Sequence, residues 1–156
     1  MYQLWGGGSP FSVKSAGELS DVSGQPVRLL GVVGAILDDL SSSPCWSDTT
    51  VAWVSCTDEP GWADECLRKF RTPEGRTLKE LVKTEVIYKA NKQTHFKELN
   101  AKSGIPFKEM IFFDNEMGNI RSVSKLGVHS YFCPDGMTEE AWREGLEQFK
   151  EKAAGD

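Results

Sequence analysis

Asp114, Asn115 and Glu116 set three oxygen-bearing side chains in a row directly after the apolar run Met110-Ile111-Phe112-Phe113. Four large apolar residues without alternation read as a strand buried on both faces, as in a parallel sheet. The polar cluster then falls at its carboxyl end, where open α/β sheets carry their chemistry. Hard oxygen donors in that place suit Mg²⁺, which takes one or two protein carboxylates and keeps several waters. The same Asp and Asn could equally be no more than caps for the helical pattern that begins at Asn119 and ends at Gly127.

Two other positions share this strand-end placement. Ser55-Cys56-Thr57-Asp58-Glu59 follows a β-branched, apolar strand over 49–54 and precedes a helix that opens on Pro60 and reaches about residue 70. A small hydroxyl just before a helix N-terminus is a natural phosphate site, because free backbone N–H groups and the helix dipole both face the anion. Capping alone is the alternative for Ser55 and Thr57. Lys92 lies between a weak strand over 85–88 and a helix over 94–103, where a cation can reach the sheet edge. Taken by itself it reads as a solvated lysine, like Lys89, Lys97 and Lys102.

The elements that must position these residues follow from periodicity. Residues 1–5 are a short apolar opening, and Gly6-Gly7-Gly8-Ser9-Pro10 is a loop. The stretch 11–27, with turn signals at Gly17 and Ser23-Gly24, reads as an irregular or hairpin excursion. Leu29, Val32, Val33, Ile36, Leu37 and Leu40 then recur at helical spacing and predict a helix over 27–40, with Gly31 and Gly34 inside it to let it approach a sheet. A helical turn is expected over 77–82, a helix stop at Gly104 and a last strand over 128–132. Thr138 caps a final helix with Glu139 and Glu140 in its first turn and Trp142, Leu146 and Phe149 as its buried stripe. His95 and His129 have no second metal-type ligand near them in sequence and read as packing or surface residues.

Composition narrows the function classes. A chain of 156 residues is one domain by length and can bury a full core. Its net charge of -5 argues against nucleic-acid or anionic-membrane partners, which need a basic face. No apolar run is long enough to span a bilayer and the N-terminus has no basic segment leading into an apolar one, so a cytoplasmic location is expected. Cys45, Cys56, Cys66 and Cys133 form no C-x-x-C pair, which predicts reduced, mostly buried thiols.

A hydroxyl after one strand (Ser55), a lysine after the next (Lys92) and an acidic cluster after the third (Asp114-Asn115) resemble, in that order, three of the four motifs of the haloacid dehalogenase superfamily of phosphotransferases. More narrowly, Asn91-Lys92-Gln93-Thr94-His95-Phe96, Gly104-Ile105-Pro106-Phe107 and residues 112–120 resemble the magnesium-dependent phosphatase family, as do Lys125-Leu126-Gly127-Val128 and Asp135-Gly136-Met137-Thr138. The similarity is dense over 85–149 and thinner over 27–70.

The resemblance implies a doubly wound parallel α/β sheet and phosphoryl transfer through an aspartyl-phosphate with Mg²⁺ as electrophile. Ser55 would hydrogen-bond the phosphoryl group with help from the backbone at Cys56 and Thr57. Lys92 would neutralise its oxygens, and Asp114 and Asn115 would hold Mg²⁺. Substrates would be phosphorylated small molecules or phosphoproteins, of the phosphotyrosine or sugar phosphate class, and residues 6–26 would form a small cap. The oligomeric state has no signal in the sequence.

Two departures from the family pattern stand out. Relatives usually show two aspartates where this chain has Asp114-Asn115, so its metal affinity should be lower. Relatives also carry D-x-D at the end of a first, central strand, and no D-x-D occurs in these 156 residues. Tyr2-Gln3-Leu4-Trp5-Gly6-Gly7-Gly8 looks like the segment that follows that motif, so the expectation is a chain without the nucleophile strand that does not turn over substrate. A non-catalytic relative that binds a phosphorylated ligand is the alternative. A receiver domain of the response-regulator type is disfavoured, because its acidic pair should precede its lysine.

Overall fold

The computed structural model describes residues 4 and 7–155; the expectations for Met1, Tyr2, Gln3, Trp5 and Gly6 lie outside the described residues. Its contacts divide into two compact units, Met1–Lys89 and Ala90–Asp156. Both combine helices with a parallel strand pair, as an α/β chain of the expected class should.

The first unit opens with three antiparallel strands, β1 (Ser12–Ser15), β2 (Glu18–Ser20) and β3 (Pro26–Arg28), in that spatial order. Leu19 of β2 stands opposite Val13 on one side and Val27 on the other, and Phe11, Leu19 and Val27 are fully buried. The excursion read as irregular or hairpin is therefore an ordered small sheet. It is tied to α2 (Pro60–Lys69) by Phe11, whose N–H donates to Glu65 and whose carbonyl accepts from Lys69.

The predicted helix over 27–40 is corrected. Val27 and Arg28 are in β3, and α1 runs from Val33 to Ser42. Gly31 between them has φ +67, a left-handed conformation that interrupts the helix ladder. Apolar spacing continued across a strand, a turn and a helix, which made three pieces look like one. Gly34 does permit a close approach, since a Cβ there would meet Pro73 Cδ at 3.1 Å, but the neighbour is a loop and not a strand.

Strand β4 (Ala52–Ser55) runs parallel to β5 (Thr84–Ile87), with Ser55 opposite Ile87. Between them come α2, which buries Cys66 and Leu67 completely, and the short α3 (Leu78–Leu81). Thr77 and Glu80 form a reciprocal capping box at the start of α3, which is why four residues suffice for a helix there.

In the second unit, α4 (Lys92–Ser103) leads to β6 (Ile111–Asp114), which pairs in parallel with β7 (His129–Phe132) through the crossover helix α5 (Met117–Ser124). The Asn91 side chain caps α4 at Thr94 N–H, and Gly104 with φ +71 ends it. Strand β6 is not buried on both faces as its composition suggested. Phe112 is buried and packs edge-on against Phe96, with centroids 4.9 Å apart, while Ile111, Phe113 and Asp114 are half-buried. Among the described residues its ladder runs along β7 alone.

Helix α6 (Glu139–Gly155) is capped by Thr138 as expected, but the residues it buries are Ala141 and Gly145. Trp142, Leu146 and Phe149 are only half-buried. A Cβ at Gly145 would lie 2.5 Å from Phe113 Cε1 and 3.3 Å from Tyr131 Cγ, so the helix touches the sheet through its smallest side chains. The large ones flank that contact, Trp142 against Phe113 at 5.5 Å and Phe149 against His129 at 5.8 Å. His95 is fully buried, and His129 lies under α6 with no partner for Nε2 among the described residues. All four cysteines are free; Cys66 and Cys133 are buried as expected, whereas Cys45 and Cys56 are exposed. Among the described residues no helix is long and apolar enough to cross a membrane.

Three outcomes follow from this packing. Gly145→Ala should lower stability by roughly 1–3 kcal/mol in urea denaturation, overpacking outweighing the helix propensity gained. Gly61→Ala in α2, where a Cβ meets nothing within 4 Å, should instead raise it by up to about 1 kcal/mol. Asn91→Ala removes the α4 cap and should cost about 1 kcal/mol by the same assay.

A fourth outcome concerns pH. Burial lowers the His129 pKa below its ordinary value of 6.5, with the nearby Lys152 charge adding to the effect and a hydrogen bond to the Gly145 backbone opposing it. The unfolded chain therefore takes up the proton first as pH falls. The contribution of neutral His129 is complete above about 6.5 and lost as pH drops below it. Denaturation midpoints measured across that range should decline less steeply in His129→Phe than in the parent chain.

Candidate active site

Asp114 is the last residue of β6, so its side chain stands where the strand hands over to α5. Both carboxylate oxygens are engaged. Oδ1 accepts from the Glu116 N–H at 2.7 Å, and Oδ2 accepts from Asn119 Nδ2 at 3.1 Å. The first of these is a local turn bond and not a helix cap, because the N-cap of α5 is Glu116 and no side chain caps that helix. It does not exhaust the residue, because a carboxylate offers about four lone-pair sites.

Lys92 is placed differently from the expectation. It is the first residue of α4, not a linker between strand and helix, and it is buried, with its side chain only 7% exposed. Lys89 and Lys97, by contrast, are exposed at the surface, and Lys102 pairs with Glu98 there. The Lys92 ammonium sits 5.7 Å from the centroid of the Phe112 ring and 3.8 Å from Asp114 Oδ2. An aromatic face and a carboxylate together offset the cost of withdrawing the charge from water. Asn91 was the sequence signal for this placement: an Asn three residues before Thr94 starts the helix one turn earlier than the apolar pattern does.

Asn115 follows in the turn between β6 and α5 and is half-buried. Asp114, Asn115 and Lys92 thus lie within one unit, at the start of two helices and the end of one strand. Asn119 also belongs to this cluster. Its Nδ2 donates to Glu116 Oε2 at 3.2 Å as well as to Asp114, a role that a count of acidic residues does not reveal.

As a divalent-cation site the donor set is small. Among the described residues no three His, Cys, Asp or Glu side chains converge to hold a metal. The oxygens of Asp114 and Asn115 nevertheless fit Mg²⁺, a hard ion that needs one or two carboxylates and completes its shell with water and phosphate oxygens. They would not suffice for Zn²⁺, which wants four nitrogen or sulfur ligands or three plus water.

Ser55, Cys56 and Thr57 belong to the first unit. Ser55 ends β4, and its carbonyl accepts from Tyr88 N–H. Its hydroxyl is half-buried and has no hydrogen bond among the described residues. Thr57 makes a local turn bond, its Oγ1 accepting from Glu59 N–H at 3.0 Å, and does not cap α2, whose N-cap is Glu59 with no side-chain cap bond. Asp58 is exposed and pairs with Lys89 at 2.9 Å.

A cavity of about 160 Å³ opens beyond β7, lined among others by Cys133, Asp135, Thr138, Glu140 and Glu144. Glu144 accepts from the Tyr131 hydroxyl at 2.6 Å and pushes the phenol up to about 12. Its lining carries Asp135, Glu140 and Glu144, which repel a phosphate.

Comparison with known proteins agrees with the residues. Human magnesium-dependent phosphatase 1 is 38% identical over 146 residues, which cover 94% of this chain and 77% of the relative. A HAD-like hydrolase superfamily protein of Schizosaccharomyces pombe is 33% identical over 125 residues, covering 77% and 70%. The acid phosphatase family model matches residues 1–152. The resemblance to phosphatases of the haloacid dehalogenase type is thereby borne out, and with it the α/β class of the fold. With a buried lysine beside a strand-end aspartate and a family match along nearly its whole length, this chain belongs to the acid phosphatase family.

Proposed function

We propose that the chain is a single domain of the Mg²⁺-dependent phosphomonoester phosphatase type, inactive as it stands, cytoplasmic in location, with residues 6–26 as a small cap. Its substrates would be phosphotyrosine or sugar phosphate groups on small molecules or proteins, and neither nucleic acid nor membrane would be a partner. The observation that carries this reading is the buried Lys92 ammonium held 3.8 Å from the Asp114 carboxylate, in a chain of this family.

Each residue has a physical task. Lys92 neutralises charge on the phosphoryl oxygens, a contribution strengthened by burial because water does not screen it. Ser55 donates its hydroxyl to a phosphoryl oxygen, and the backbone N–H groups at Cys56 and Thr57 add donors at the start of the turn into α2. Asp114 and Asn115 hold the cation, which supplies Lewis-acid charge on the phosphoryl group. Asn115 contributes a neutral oxygen, so the ion is bound more weakly than by two carboxylates.

The covalent step needs a carboxylate nucleophile in a D-x-D pair, and the 156 residues contain none. The proposal is therefore that this polypeptide binds the phosphoryl group and Mg²⁺ without turnover, which is also what a phospho-ligand-binding module would do. Thermal unfolding with Mg²⁺ plus orthovanadate tests it. Saturation at about 100 times Kd adds about 2.7 kcal/mol and should raise Tm by roughly 5–10 °C. Lys92→Met should abolish the vanadate response. Absence of any shift in the parent chain would sink the site, whereas Mg²⁺-dependent hydrolysis of p-nitrophenyl phosphate, lost in Lys92→Ala, would sink the claim of no turnover.

A further inference from the structure

We propose that the hollow beyond β7 is a subsite for a cationic side-chain end, the ammonium or guanidinium of a lysine or arginine that lies close in sequence to the phosphorylated residue of a protein substrate. The inference rests on the reading of Lys92, Asp114 and Asn115 as the phosphoryl and cation site. Three carboxylates, those of Asp135, Glu140 and Glu144, line this cavity of about 160 Å³, and none of its described lining residues is a lysine, arginine or histidine. Among the described residues none of the three forms an ion pair. The Tyr131 phenol is pushed up to about 12 by its bond to Glu144, with burial and the charge of Glu140 adding to it, so two of the carboxylates act on one point of the wall. The volume is on the order of ten times what a single water needs, which is room for a side-chain end.

Two further residues make the hollow more than an acidic surface. Cys133 lines it while only 6% exposed, and its thiol has no hydrogen bond among the described residues. Phe132 lines it too and stays 36% exposed, which sets an aromatic ring beside the carboxylates. Carboxylates together with an aromatic face hold a cation, through charge and through the negative face of the ring. The register ties the hollow to the phosphoryl site. Phe132 stands opposite Asp114, and the Cys133 N–H donates to the Asp114 carbonyl at 3.0 Å. Neighbouring strands lie about 4.8 Å apart and an extended peptide advances about 3.3 Å per residue, so a basic side chain within about three residues of the phosphorylated one spans that distance. The charges that repel a phosphate attract this neighbour.

The test applies two probes to the 156-residue chain and to the Asp135→Asn/Glu140→Gln double variant, whose two positions are both exposed, with Tm as the control for folding. Ethylguanidinium, followed by NMR, should shift the backbone amide signals from Phe132 to Glu144 in the parent and leave them in place in the double variant. Phosphotyrosine peptides with Mg²⁺, each carrying one lysine within about three residues of the phosphotyrosine in an alanine and glycine background, are compared with the lysine-free peptide by fluorescence anisotropy. At least one lysine position should tighten binding by roughly three- to fivefold, the size of an ion pair near a surface, and the gain should vanish at high salt. In the double variant that gain should be lost, while the lysine-free peptide binds at least as tightly as to the parent. No ethylguanidinium shift in the parent, no lysine position that tightens binding, or a gain that survives in the double variant overturns the subsite. Failure of every phosphopeptide to bind, with the ethylguanidinium shifts intact, overturns the phosphoryl site and upholds the hollow as a place for a cation.

Discussion

A buried ammonium facing a half-buried carboxylate is the constraint that the second unit is built around. Neither charge could be withdrawn from water alone, and each lowers the cost of the other. Their positions are set by three separate pieces of backbone: the first turn of α4 for Lys92, the end of β6 for Asp114, and the first turn of α5 for the groups that bind the carboxylate. The parallel register of β6 on β7, with Asp114 opposite Phe132, fixes where the strand stops. The Asn91 cap fixes where α4 starts. Both are backbone decisions made by local chemistry, and the charges inherit their geometry from them.

The sequence was most readable where a single residue type forces one local conformation. Pro60 at the first turn of α2, Thr77 and Glu80 at α3, Gly104 after α4 and Thr138 before α6 all stand where their physics puts them. It was least readable where hydrophobic spacing alone had to decide. The apolar residues from Val27 to Leu40 keep helical intervals across a strand and a turn, and only the left-handed Gly31 marks the break. In α6 the apolar pattern points to Trp142, Leu146 and Phe149, but the contact with the sheet is made where bulk is absent, at Ala141 and Gly145. Periodicity reports which face is apolar; it does not report how close that face comes.

The candidate site was legible in part for the same reason. Asp114 and Lys92 carry charge at strand and helix ends and were visible as such, although burial of Lys92 could not be told from its type. Asn119 was not visible, because an amide in a helix is ordinary until the turn before it presents two carboxylates to a single Nδ2 group. Thr57 and Ser55 look alike in sequence and separate only in their bonds: one hydroxyl is taken by Glu59 N–H, while the other has no partner among the described residues.

The tie between Phe11 and α2 has a consequence for how this chain tolerates change. Glu65 and Lys69, one helical turn apart and paired with each other at 2.7 Å, read the N–H and the carbonyl of a single peptide position and not its side chain. The attachment of the small sheet to its helix is therefore indifferent to residue identity at 11 so far as these bonds go. The two bonds depend on the direction of charge along α2. Exchanging the two charged residues would preserve their mutual attraction and reverse its polarity, setting an ammonium against an N–H and a carboxylate against a carbonyl. Composition, net charge and the salt bridge would all survive that exchange, and these two bonds to the backbone of Phe11 would not.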